Sequence, residues 1–346
     1  MLPSFPKGAM SCSTTIAPLK AARIAARCRL PSKRRLQMAA RGSLVRWVSM
    51  LVIACCIFEG CSTLDPVVRR RMEQTRAIIE GSDERFAPTV YRLLERGVDS
   101  AFLWHAFHHA ATAFLPPMLR INVTGFLRKV DYSHNWSDAS IRACRAFLDS
   151  NRALLNRVER DYGVPAEIIT AVLWVETKFG RVTGTNHVWS VYATLATADQ
   201  PENIRANRAA YRDTIADPAR LAELDSLVEV RSKRKAAWAL GELEALWQMS
   251  RDSALDVLAL RGSWAGAFGL PQFIPSSYLR WARDGDGDGR VDLFNLADAV
   301  ASVANYLRSN GWSSERRAQE AALFHYNNSR DYVECIFRVA ELLVAR

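Results

Sequence analysis

The 346-residue sequence contains no internal repeat, no low-complexity linker after residue 62, and few stretches with the apolar–polar alternation of a strand. A repeat array or a string of linked modules is therefore excluded, and one mainly α-helical domain is the expectation. An excess of positive charge is also missing from most of the chain. The net charge is +10, yet ten of the 46 Lys and Arg residues and only one of the 36 acids, Glu59, fall in residues 1–61, so the rest is close to neutral. The basic balance belongs to the N-terminus and gives no ground for a nucleic-acid partner. Cysteine is scarce in the same region. Of seven, only Cys144 and Cys335 lie beyond Cys61, without metal-ligand spacing. In an oxidising compartment these two can pair as one disulfide or stay as buried thiols.

Long hydrophobic runs are absent, with one short exception. "WVSMLVIACCIF" follows Arg41 and Arg46 and ends at "EGCSTL". The run is too short to span a bilayer but has the size of a signal-peptide core. Residues 1–37, rich in Arg, Lys, Ser, Ala and Pro, read as a disordered leader or a mis-assigned start, and residues 38–60, opening at Met38, as a signal peptide. Cys61, between Gly60 and Ser62, then resembles the acylated cysteine of a bacterial lipoprotein, with "VIAC" ending at Cys55 as the alternative box.

What is present from about Thr75 onward is helical periodicity, clear in "AIIEGSDERFAPTVYRLLERG" and "ACRAFLDSNRALLNRVERDYG" and divided by Gly and Pro turn signals. The histidines of "HAFHHAA", His105, His108 and His109, can share a helix face but lack a nearby acid or fourth ligand, so they read as helix-interface residues.

"VPAEIITAVLWVETKFG" predicts a helix over about 165–179, opened by Pro165, with Glu167 at the positive end of its dipole and Gly180 as the stop. Ile169, Val172, Glu176 and Phe179 fall on one face, which places a carboxylate on an apolar stripe. Desolvation raises the pKa of such a group toward the range where it transfers protons at neutral pH. This helix alone admits two readings: a catalytic acid, or a structural acid paired through Lys178 or Arg181. Farther along, "GSWAGAFGLPQFIPSSY" strings small residues ahead of Gln272 and Phe273, as a backbone close to an extended ligand or a tight interhelical turn requires.

"VPAEIITAVLWVETKFGRVTG", "GSWAGAFGLPQFIPSSYLRWARDGDGDGRVDLFNLADAVASVANYLRSNGW" and "HYNNSRDY" together resemble the lytic murein transglycosylase B family, in order and over more than half of the chain. The resemblance implies a lysozyme-like (goose-type) helical catalytic domain over 137–346, a helical N-terminal extension over 61–136, and cleavage of the β-1,4 bond between N-acetylmuramic acid and N-acetylglucosamine without added water. It makes Glu176 the catalytic acid/base. It puts Ser263, Gln272, Phe273, Tyr306, Tyr326, Asn327, Tyr332 and, by a looser alignment, Tyr132 in the glycan groove. Most glycosidases need two carboxylates. In this family one acid protonates the glycosidic oxygen and its carboxylate then takes the proton of the C6 hydroxyl, closing a 1,6-anhydro ring. No organic cofactor is expected. Hydrolysis by the same fold, or a groove that binds without turnover, are the alternatives.

"DGDGDGRVDLFNLADA" alternates Asp284, Asp286 and Asp288 as in an EF-hand-like calcium loop, with Gly289 at the turn and the carbonyl of Arg290 next. Asn295 stands where the ordinary motif has a bidentate Glu. The resemblance implies closure by Asp298, with Asp292 direct or through water, around a structural calcium or sodium. Two departures from the family are visible: Trp174 replaces a frequent Gly, and the segment between Gly311 and His325 lacks a long insertion. The expected setting is the periplasm of a Gram-negative bacterium, with the protein anchored to the outer membrane. The expected partners are glycan strands and possible cell-wall synthase or divisome proteins, and the chain itself is expected to be a monomer.

Overall fold

The computed structural model describes residues 65–127, 130–252 and 255–345. The leader, the signal segment and Cys61 lie outside the described residues. The described chain is mainly helical. Four helices come first: α1 (Pro66–Ile79), α2 (Ala87–Glu95), α3 (Ser100–His108) and α4 (Pro116–Thr124). Their starts follow local chemistry. Asp65 and Asp99 cap α1 and α3 by accepting the amides of Val67 and Phe102, and Pro stands in the first turn of α1, α2 and α4.

Helices α5 (Asp138–Ser150) and α6 (Arg152–Tyr162) lead to Gly163, whose φ of 69° ends α6 in the left-handed region, and α7 (Ala166–Thr177) follows at once. Every residue of α7 from Ile168 to Trp174 is buried. A helix apolar all round has to sit inside a bundle, and α7 does, ringed by α5, α6, α12 (Leu296–Ser309) and α14 (Arg330–Val344). Each fully buried aliphatic side chain there contributes roughly 1.5–3 kcal/mol.

A second group packs around α8 (Val188–Leu195) and the 35-residue α10 (Pro218–Asp252), which also contacts α4, α9 (Pro201–Arg212) and α11 (Pro275–Trp281). The only sheet among the described residues pairs β1 (Asn186–His187) with β2 (Arg261–Gly262), antiparallel, with Asn186 opposite Gly262. From β2 the chain folds tightly back on itself through Gly262–Phe268 and Phe268–Phe273 bridges. Helix α13 (Arg316–Tyr326) completes the fold.

Two histidines of the cluster are engaged by neighbours, and His105 is exposed. His108 hydrogen-bonds the carbonyls of Trp104 and Glu80 at 2.9 Å each, and His109 stacks on His187. Cys144 and Cys335 are both buried free thiols, and burial pushes each up to about 12.

Candidate active site

Glu176 lies in the last turn of α7, where the helix stops earlier than Gly180 predicts. Lys178 and Phe179 both take left-handed conformations, with φ of 53° and 59°, before Gly180 at 87°. Two successive non-glycine residues there cost about 1–3 kcal/mol each, a strain that collects at functional sites. Tertiary contacts hold it. The Phe179 ring stacks on Phe147 at 3.8 Å. The Lys178 ammonium bonds Asn135 Oδ1 and the Trp174 carbonyl. Thr177 Oγ1 donates to the Leu270 carbonyl at 2.9 Å, tying the end of α7 to the turn that carries Gln272.

The pairing of Glu176 with Lys178 or Arg181 that the helix alone allowed is not formed among the described residues. Its partner comes from α14: the Tyr332 hydroxyl donates to Glu176 Oε1 at 2.8 Å. Burial raises the Glu176 carboxyl to about 7, against the smaller lowering effects of the Tyr332 hydroxyl and the Lys178 charge. The Glu176 residue as a whole is half-buried, and a carboxyl raised in this way is protonatable near neutrality.

Three tyrosines surround it. Tyr326 lies parallel to Tyr332 at 6.4 Å and Tyr132 meets Tyr332 edge-on at 6.1 Å. Burial first, and then the charge of Glu176, push all three hydroxyls up. Tyr326 donates to the Pro271 carbonyl at 2.5 Å, which fixes the neighbouring Gln272. Gln272 itself takes a φ of 51° and donates from Nε2 to the carbonyls of Thr183 and Gly269, each at 3.1 Å. Ser263 Oγ accepts the amides of Ala265 and Ala267, leaving its own hydrogen to donate. Asn327 is half-buried, and its side chain makes no hydrogen bond among the described residues.

Phe273 and Tyr306 stand differently. At 2% and 5% exposure both are interior. Phe273 packs against Tyr306 and Tyr326, and the Tyr306 hydroxyl is taken up by His325. They back the tyrosine wall and do not face an incoming chain in this structure.

Trp174 and Asn135 were not read as site residues from the sequence. The Trp174 indole donates to the Asn135 carbonyl at 3.1 Å, anchoring the turn Ser133–Trp136 next to Tyr132. The bulk that departs from the family pattern thus has a structural use. No local periodicity joins residues 39 positions apart.

At the acidic loop, carboxylate oxygens of Asp284, Asp286 and Asp298 lie within 4.8 Å of one another. Asp298 is 2% exposed, and burial pushes its carboxyl up, helped by the charges of Asp286 and Asp284. Among the described residues no Lys or Arg is ion-paired with any of the three. Asp288 and Asp292 stand outside the cluster, where they accept the amides of Arg290 and Phe294. Asn295 donates to Asp286 Oδ2 at 2.7 Å and caps α12.

The family described as Transglycosylase SLT domain matches residues 92–334, a span that includes the whole tyrosine-ringed carboxylate. The chain belongs to this family. Within the SLT transglycosylases it is 37% identical over 158 residues to the membrane-bound lytic murein transglycosylase B of Escherichia coli (strain K12). That alignment covers 46% of this chain and 35% of the relative, so the chain spans about a third of the length of the curated protein it matches. The fold is shared with the E. coli lytic transglycosylase Slt35 in complex with calcium (TM-score 0.56, 22% identity, 83% of this chain and 95% of that one). It is shared also with SltB3 from Pseudomonas aeruginosa in complex with NAG-anhNAM-pentapeptide (TM-score 0.56, 20% identity, 75% of this chain and 78% of that one).

Proposed function

We propose that this SLT-family protein is a lytic transglycosylase that cuts the β-1,4 bond between N-acetylmuramic acid and N-acetylglucosamine in peptidoglycan, leaving 1,6-anhydromuramic acid ends. The observation that carries this reading is Glu176, a single carboxyl raised to about 7 whose only side-chain hydrogen-bond partner among the described residues is a tyrosine hydroxyl. As the acid it protonates the glycosidic oxygen, and the C–O bond to the leaving sugar breaks. The carboxylate left behind, stabilised by Tyr332 and Lys178, takes the proton of the C6 hydroxyl as that oxygen closes the ring. No second carboxylate bonds into the cluster among the described residues, which agrees with an internal nucleophile and its proximity advantage over activated water. Ser263, Gln272, Tyr326, Asn327, Tyr332 and Tyr132 bind the strand, and Phe273 and Tyr306 support them from behind.

The test is mass spectrometry of products released from intact peptidoglycan sacculi by the purified protein. Fragments one water lighter than reducing muropeptides are expected. Reducing ends would point to hydrolysis, and binding without products to a non-catalytic scaffold.

The trio Asp284, Asp286 and Asp298 suits a hard cation bound through oxygen, calcium or in its absence sodium, because three carboxylates this close, each held by amide donors but none ion-paired among the described residues, converge their oxygens on one point. The Arg290 carbonyl, Asp288 and Asp292 are available to complete the shell. The ion braces the loop between α11 and α12 and takes no part in the proton transfers. Among the described residues no helix is long and apolar enough to cross a membrane. Attachment to the periplasmic face of the outer membrane through an acyl chain on Cys61 fits the sequence. Incorporation of a palmitate analogue by the parent and its loss in Cys61→Ser would establish it.

A further inference from the structure

Lys178 stands two residues after Glu176, and both are half-buried. An ammonium so near a desolvated carboxyl is its natural counter-ion, and a close pair lowers a carboxyl by roughly 1–3 units. Such a pair would leave Glu176 ionised at neutral pH, with no proton to give. The pair is not formed among the described residues, because the ammonium is drawn elsewhere. From a left-handed backbone, with φ of 53°, the Lys178 side chain runs back to the carbonyl of Trp174, four residues earlier, and donates to it at 3.2 Å. It lies 4.5 Å over the Trp174 ring and donates also to Asn135 Oδ1.

Asn135 is itself held from two sides. It is 1% exposed, in the turn Ser133–Trp136 that precedes α5. Its Nδ2 donates to the Tyr132 carbonyl at 3.0 Å, which assigns the other end of the amide, Oδ1, to the ammonium. Its main-chain carbonyl accepts the Trp174 indole at 3.1 Å. One residue outside α7 thus fixes both the ammonium and the ring it lies over. The charge still acts at a distance: it lowers the Glu176 carboxyl by less than burial raises it, and Glu176 in turn raises Lys178. The titratable groups packed around the two are the Tyr332 hydroxyl bonded to Glu176, the Tyr132 and Tyr326 hydroxyls that feel its charge, and the thiols of Cys144 on α5 and Cys335 on α14. Burial pushes both thiols up to about 12, so they are neutral at pH 7 and leave the ammonium uncompensated.

We propose that Asn135 is a positioning residue that keeps the Lys178 ammonium out of an ion pair with Glu176, so that the acid retains its proton for the first step and its carboxylate has an unpaired cation nearby in the second. The assignment rests on the transglycosylase reading and adds to it a residue from the turn before α5. Asn135 acts through Lys178 and takes no part in bond cleavage.

The test follows the titration of the Glu176 carboxyl by carbon NMR in protein labelled at its glutamate carboxyls, the signal being assigned with Glu176→Gln, beside the pH profile of kcat/KM on glycan strands. In Asn135→Ala the freed ammonium pairs with Glu176, so the titration and the basic limb of the profile should both fall by at least about one unit, with rates above the limb about tenfold lower per unit. Adding Lys178→Met to Asn135→Ala should abolish the fall. Asn135→Asp, which keeps the shape and adds a charge that claims the ammonium, should move both upward. If Asn135→Ala does not fold, Asn135→Ser, too short to hold the ammonium, carries the same expectation. An unmoved or raised titration in Asn135→Ala, or a fall that persists in the double variant, would overturn the proposal, as would lower rates in every variant with no shift, which is the mark of a purely structural residue. The carboxyl titration needs no turnover and so separates the two readings. If the parent yields no anhydro products but the titration falls in Asn135→Ala and recovers in the double variant, the transglycosylase reading falls and the positioning role stands. Anhydro products from the parent with an unmoved titration have the reverse meaning.

Discussion

Tyr332 reaches across 156 residues of sequence to give Glu176 the one side-chain hydrogen bond it makes among the described residues, at 2.8 Å. The bond opposes desolvation. It stabilises the carboxylate that burial disfavours, and so holds the group near 7, where it can both give and take a proton.

Replacing Glu176 by Gln removes the proton while keeping the shape. Turnover should fall by at least about 10²–10⁴-fold with glycan binding retained. Persistent cleavage would refute the assignment of the acid.

The same variant reports on stability. The Glu176 carboxyl sits at about 7 in the fold against 4.5 as its ordinary value. A raised carboxyl keeps its contribution fully below the lower value and loses it as pH rises through the upper one. Glu176→Gln should therefore match the parent below pH 4.5 and become the more stable of the two across 4.5–7, by up to about 3 kcal/mol. Urea denaturation at the two ends of that window measures the gap, and a gap independent of pH would contradict the burial argument.

Tyr332→Phe deletes the hydroxyl and leaves the ring. With less to stabilise the carboxylate, the pKa of Glu176 rises, so the basic limb of the kcat/KM profile should move up by about one unit. An unmoved limb would mean that the limb reports another group.

In Trp174→Phe the carbonyl of Asn135, a residue 1% exposed, loses its indole donor. The expected cost is about 1–3 kcal/mol by denaturant titration. KM should rise too, because the anchored turn adjoins Tyr132. A variant as stable as the parent would show that the indole bond anchors nothing.

Calcium should raise the melting temperature of the parent, by the equivalent of about 2.7 kcal/mol at a hundred times its dissociation constant, and a chelator should reverse the gain. Asp298→Ala should abolish the response. If the parent melts identically with calcium and with chelator, the acidic loop holds no calcium.

The sequence by itself determined the helical character of the chain, the span of α7 to within a few residues, and the position of Glu176 on an apolar face. These are local properties: a 3.6-residue period, a proline that starts a helix, a carboxylate spaced three and four from buried neighbours. It also supplied the acidic loop and the small residues around Ser263, because turns and ligand loops impose their chemistry over a few positions. The tertiary structure alone decided the rest. It hydrogen-bonded Lys178 to Asn135 without an ion pair to Glu176 among the described residues, put Phe179 in a left-handed conformation against Phe147, and gathered Asp298 with Asp284 and Asp286 while leaving Asp288 and Asp292 outside. It also buried Phe273 and Tyr306 behind the site they were expected to line. The physical reason is common to all of these. Which partner a side chain meets depends on how α5, α7, α12 and α14 pack, and packing is a sum over residues far apart in the chain that no local pattern encodes.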